Sequence, residues 1–208
     1  MDLDDLSPSK KLDTQVMLAH IDGLPDQLQF AWDLGESLPL EFADGLSPSA
    51  SEISQIIISG MGGSAIGADL VSAAVMDACP VPIFVHRDYS LPAFAKGSDT
   101  LVICSSHSGN TEETLDVFET AVENGCRILA ITTGGKLESK AKEAGHPVWK
   151  FEHKSQPRAA VGFSFGLILG ALSRLGLVPD AGEDIAEVVK AMKSQSAVLT
   201  AESPVSKN

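Results

Sequence analysis

From Ile53 onward, short and almost purely apolar runs alternate with longer stretches whose apolar residues recur at helical spacing. Ile56-Ile57-Ile58 predicts a strand and residues 65–78 a helix. Residues 81–85 predict a second strand. Leu101-Val102-Ile103-Cys104 predicts a third, followed by a helix ending near Gly125. Residues 127–132 predict a fourth strand, 137–144 a helix and 147–151 a fifth strand. Residues 159–175 predict a long apolar helix, closed by Gly176 and Pro179. Strands this apolar are covered on both faces, so the expected fold class is α/β: a flavodoxin-like, doubly wound, five-stranded parallel sheet.

Before this region, residues 11–40 carry Val16, Leu18, Ile21, Leu24, Leu28 and Trp32 at helical spacing, interrupted by Gly23, Pro25 and Pro39. Leu46-Ser47-Pro48-Ser49 reads as a linker. Beyond Pro179 an amphipathic helix starts near Glu183, with Ile185, Val188, Val189 and Met192 along one stripe. The expected division is an N-terminal helical arm and linker over 1–50, a sheet domain over 51–178 and a C-terminal helix and linker over 179–208.

Composition narrows the function classes. The 208 residues are 44% hydrophobic and 21% charged, which suits a globular domain, and the net charge of −13 argues against nucleic acid or an anionic membrane as partner. A small anion is not excluded, because local amides can act against the global sign. Cys79, Cys104 and Cys126 have no metal or redox spacing and read as small apolar residues in a reducing compartment. The acidic start, Met1-Asp2-Leu3-Asp4-Asp5, does not read as a secretory signal, and no apolar run is long enough to span a bilayer. A cytoplasmic location is the expectation.

The chemistry concentrates at strand ends. Ser59-Gly60-Met61-Gly62-Gly63-Ser64-Ala65 follows the first strand, and Ser105-Ser106-His107-Ser108-Gly109-Asn110-Thr111 follows the third. Each runs into a helix, where orphan amides and the helix dipole favour an anion, and the hydroxyls add donors. Alone, the first loop reads equally well as a tight turn that Ser64 caps. The second reads in part as a helix cap, with Asn110 or Thr111 capping and Glu112 and Glu113 favouring the dipole. If the two strands are neighbours, both loops face one crevice and an anion site is favoured. A third segment, Gln156-Pro157-Arg158-Ala159-Ala160, enters the last long helix. On spacing alone Arg158 is a surface arginine.

Together, Gly60-Met61-Gly62-Gly63-Ser64, Ser106-His107-Ser108-Gly109-Asn110-Thr111-Glu112-Glu113-Thr114 and Gln156-Pro157-Arg158-Ala159-Ala160 resemble the sugar isomerase (SIS) domain family. The likeness is greatest to the amino-terminal half of bifunctional phosphoglucose/phosphomannose isomerases, and it spans residues 53–177. The resemblance implies that Gly62, Gly63, Ser64, Ser106, Ser108 and Thr111 hold the phosphate of a hexose 6-phosphate. It implies that Arg158 is catalytic, stabilising an enediolate during aldose–ketose isomerisation. It implies no metal and no cofactor. Two departures stand out. His107 occupies a position where the family usually has tyrosine. The family also continues into a second SIS domain that supplies the base, so the chain reads as a fragment holding the phosphate and Arg158 but lacking the base. The expected partner is that second domain or a second copy in a homodimer.

Three other readings compete. Gly60-Met61-Gly62-Gly63-Ser64-Ala65 fits a dinucleotide fingerprint, with Asp88 near the end of the second strand, yet that reading gives the second serine loop no task. Gly162-Phe163-Ser164-Phe165-Gly166 matches a hydrolase elbow, but it lies inside a helical pattern with no histidine after it. A non-catalytic sugar-phosphate sensor would use the same loops without a base. His20, His86, His146 and His153 show no ligand spacing and read as surface or loop residues.

Overall fold

The computed structural model describes residues 4–42, 45 and 49–207, and most of the expected linker, Leu46-Ser47-Pro48, lies outside them. The helices α1 (Ser7–Leu12), α2 (Met17–Asp22) and α3 (Leu24–Ser37) come first. They are followed by β1 (Gln55–Ser59), α4 (Gly62–Ala74), β2 (Ile83–His86), β3 (Thr100–Ser106), α5 (Glu112–Glu123) and β4 (Arg127–Thr132). The chain continues through α6 (Gly135–Glu143), β5 (Val148–Lys150), α7 (Val161–Arg174) and α8 (Gly182–Ser196). The five strands form one all-parallel sheet in the order β2-β1-β3-β4-β5, the flavodoxin-like order.

Alternation along the strands sorts side chains into two layers. Ile56, Ile58, Leu101, Ile103, Leu129 and Ile131 point into a core shared with α3, α4, α7 and α8. Ile57, Val102, Cys104, Ile128 and Ala130 point the other way, into a core closed by Val117, Phe118 and Ala121 of α5 and Leu137 and Ala141 of α6. Both faces are therefore covered, which explains why the strands read as continuous apolar runs. Cys104 and Cys126 are buried in the second layer as apolar residues, and burial pushes the Cys126 thiol up to about 11. Cys79 is only half-buried.

Several boundaries differ from expectation. Helix α4 starts at Gly62, so Ser64 lies inside its first turn and does not cap it. Strand β2 starts after Pro82, which has no N–H to give the ladder; its carbonyl accepts from Ile56 N at 3.0 Å. The long helix α7 begins at Val161 because Pro157–Ala159 coil into a 3-10 turn first.

The N-terminal region is not an appendage throughout. Leu28, Ala31 and Trp32 of α3 belong to the main core, against α7 and α8. Its far end is tied down by Trp149 of β5, which is fully buried and donates from Nε1 to Pro39 O at 2.7 Å. Arg174 lies over the Trp149 ring at 5.5 Å and donates to Gly35 O and Leu38 O at 2.6 and 2.5 Å. Trp149→Ala is expected to remove about 3–5 kcal/mol of stability, through the cavity and the lost hydrogen bond to the arm. Urea denaturation followed by circular dichroism measures it; a loss below about 1 kcal/mol would show that the arm is held by other contacts.

Candidate functional site

The strand order reverses between β1 and β3, which are hydrogen-bonded neighbours with Ser59 level with Cys104. The loops leaving their carboxyl ends therefore open on the same side, at the position where doubly wound sheets bind ligands. The two loops touch: His107 N–H donates to Ser64 Oγ at 3.3 Å. The third segment reaches them too. A Cβ built on Gly63 would lie 2.6 Å from Pro157 O and 2.9 Å from Arg158 N, so only glycine lets α4 approach the 3-10 turn this closely. Gly63, Ser64, Ser106, Ser108, Thr111 and Arg158 are thus brought to the carboxyl end of the sheet, with Gly62 exposed at the start of α4.

Inside the β3 loop the hydroxyls are organised rather than loose. Ser106 Oγ is buried, accepts from Gly109 N at 3.1 Å and shares a proton with Thr111 Oγ1 at 2.9 Å. Ser108 Oγ accepts from Asn110 N at 3.2 Å. Ser64 and Ser108 each accept one bond and keep their own O–H to give, and the Ser106–Thr111 pair has one proton left over. Neither α4 nor α5 has a side-chain cap at its start, although Ser64 N donates to Met61 O at 3.1 Å; first-turn amides of a helix otherwise lack an intrahelical acceptor. Thr111 occupies the cap position of α5, but neither it nor Asn110 caps through its side chain. Asn110 Oδ1 instead accepts from Lys136 N at 3.2 Å. Glu112 is exposed and accepts from Tyr89 Oη at 3.3 Å.

The β3 loop is clamped from the β4 side. Thr133 donates to His107 O from both N, at 3.1 Å, and Oγ1, at 2.7 Å, while Leu137 N donates to Gly109 O at 2.9 Å. Gly109 has φ +65°, and a Cβ there would collide with Gly134 O. The loop after β4 is the part of the site that sequence reasoning missed. Its Gly134-Gly135 pair was a visible signal, but only the sheet order says which loop it braces.

His153 was also missed. Its Nδ1 lies 2.9 Å from His107 Nε2, the His20 ring packs against it in a tilted arrangement at 5.2 Å, and its own Nε2 is buried without a partner. Burial holds both His107 and His153 below the ordinary histidine range; His107 and His20 push His153 further the same way. Phe151 and Phe163 complete the surroundings of the pair. Behind the cradle, between Ser64, His107, Phe151 and Pro157, the free volume is about 10 Å³. That is room for no more than a water.

Among curated proteins, the chain is 41% identical over 192 residues to the bifunctional phosphoglucose/phosphomannose isomerase of Caldicellulosiruptor bescii, covering 92% of this chain and 55% of that protein. It is 38% identical over 163 residues to the protein of the same name from Aquifex aeolicus, covering 78% and 46%. Among solved structures, tagatose-6-phosphate ketose/aldose isomerase from Escherichia coli superposes with a TM-score of 0.66 at 16% identity, over 90% of this chain and 55% of that one. That is a likeness of fold. No family model matches the chain. The chain spans about half the length of the curated relatives it matches. No helix among the described residues is long and apolar enough to cross a membrane.

The histidine pair is expected to contribute to a pH dependence of stability. Because the folded state favours neutral His107 and His153, the unfolded chain binds more protons as pH falls through about 6.5. Stability is therefore expected to drop between about pH 7.5 and pH 5.5, with a smaller drop in His107→Gln. Urea midpoints for both proteins at both pH values check this; equal drops would remove the pair from the acid response.

Proposed function

The chain belongs to the sugar isomerase (SIS) domain family and matches bifunctional phosphoglucose/phosphomannose isomerases over about half their length, and on that premise we propose that it grips a hexose 6-phosphate for aldose–ketose isomerisation. The observation that carries the proposal is the meeting of three sequence-distant segments: Ser64 with His107, and Gly63 with Pro157 and Arg158. A phosphate dianion is the guest that suits such a cradle. Amides at two helix starts face it, the dipoles favour its charge, and Ser64, Ser108 and the Ser106–Thr111 pair offer O–H donors. The local donors act against a net charge of −13, so the grip is short-ranged.

In this reading the opened sugar extends from the cradle toward Arg158. Moving a proton between C2 and C1 builds negative charge on the adjacent oxygens, and a guanidinium fixed there stabilises that enediolate. A carboxylate base completes the reaction, and we assign none to this chain. A base able to reach either face at C2 would serve both glucose and mannose phosphates. Ile66 and Leu70 of α4, 48% and 47% exposed, suit packing against a second domain of this fold, in the same polypeptide or in a second copy.

Ser108→Ala is expected to weaken fructose 6-phosphate binding by about 1–3 kcal/mol, the worth of one hydrogen bond to a charged group. Calorimetry reads this directly, and unchanged affinity would count against the cradle. In a catalytically active preparation, Arg158→Ala should lower kcat far more than it raises KM. Normal turnover would remove Arg158 from the mechanism.

A further inference from the structure

Beside the cradle lies a cavity of about 330 Å³, bounded on one side by Gln156 and Arg158 and on the other by the turn between α1 and α2. Pockets for small ligands start near this size, roughly 300 Å³. Its lining is rich in hydrogen-bonding side chains: Asp13, Thr14 and Gln15 face Gln156 and Arg158, with Leu12 as an apolar wall. Gln156 Nε2 donates to Gln15 Oε1 at 2.7 Å, so the turn is already joined to the segment that carries Arg158. Gln15 keeps its two amide protons and Gln156 its carbonyl oxygen for a further partner. These free amide groups, with the Thr14 hydroxyl beside them, match the donor and acceptor pattern of hydroxyl groups.

The turn holds an unusual shape. Val16 has φ +56°, a left-handed conformation that a β-branched residue avoids. Asp13 keeps it there, accepting from Met17 N at 2.7 Å and Leu18 N at 3.0 Å. Those amides, Leu18 first, hold the Asp13 carboxyl below its ordinary range. Asp13 is therefore a brace for the turn and a poor proton acceptor. Arg158 is the link between the two places: its backbone packs on Gly63 of the cradle, and the residue helps to line this cavity.

We infer that the 13–16 turn is the wall that recognises the hydroxyl-bearing end of the sugar, with Gln15 as a specificity-determining side chain. The inference rests on the sugar-phosphate reading above and adds to it a part of the site supplied by the N-terminal arm. It separates two tasks: strand-end loops grip the phosphate, and the arm tells a sugar phosphate from phosphate alone.

The test compares inorganic phosphate and fructose 6-phosphate by calorimetry on the full chain, wild type and Gln15→Ala. Gln15 is exposed, so the variant is expected to fold normally, and circular dichroism checks it. The expected result is a loss of about three- to tenfold in fructose 6-phosphate affinity, one neutral hydrogen bond's worth, with inorganic phosphate unchanged. Thr14→Val should act in the same direction. If both ligands bind Gln15→Ala as they bind wild type, the arm is not the sugar wall and the cradle still stands. Equal weakening of both ligands also overturns the inference, since Gln15 would then act on the cradle. If wild type binds neither ligand, the sugar-phosphate reading fails and takes this inference with it.

Discussion

The reversal of strand order between β1 and β3 is the constraint on which the site depends. Neighbouring strands in a parallel sheet send their carboxyl-end loops to the same side, and at a reversal the following helices leave on opposite faces. Helix α4 packs with the core that holds Ile56 and Ile58, whereas α5 packs with the core that holds Ile57 and Val102. The starts of both helices therefore lie at the same end of the sheet, where the two loops touch through His107 and Ser64. This gathers hydrogen-bond donors locally in a chain with 28 acidic and 15 basic residues.

Close packing gives that end of the sheet a defined shape. Gly63 brings α4 against the Pro157–Ala159 turn, and Gly109 brings the β3 loop against Gly134. These contacts set where Ser64, Ser108 and Arg158 stand relative to one another. Preorganised donors of this kind cost little reorganisation when charge arrives. A small void lies behind these contacts and a larger cavity lies beside Arg158.

The sheet was legible in the sequence because its strands are apolar at consecutive positions, and burial on both faces follows from that. The loops at the ends of β1 and β3 were legible from serine and glycine content, and their adjacency followed once the strand order was known. Other parts were hidden for physical reasons. Ser64 looked like a cap, but the helix starts at Gly62, where positive φ at glycine lets the chain turn one residue after Met61. Asn110 looked like a cap as well, yet it bonds to Lys136, a partner set by the sheet and not by local spacing. His153 lies 46 residues from His107, and no periodic pattern links them. The placement of the α1–α2 turn beside Arg158 is likewise tertiary: Gln15 and Gln156 are 141 residues apart.

The convergence of the two strand-end loops on one anion is most directly tested by following backbone amide resonances during titration with fructose 6-phosphate. The account predicts the largest shifts at Gly62, Gly63 and Ser64 and across residues 106–113, with a matching change at Arg158. Shifts concentrated instead around the apolar groove between α7 and α8, near Leu169 and Ile185, with the strand-end loops silent, would contradict it.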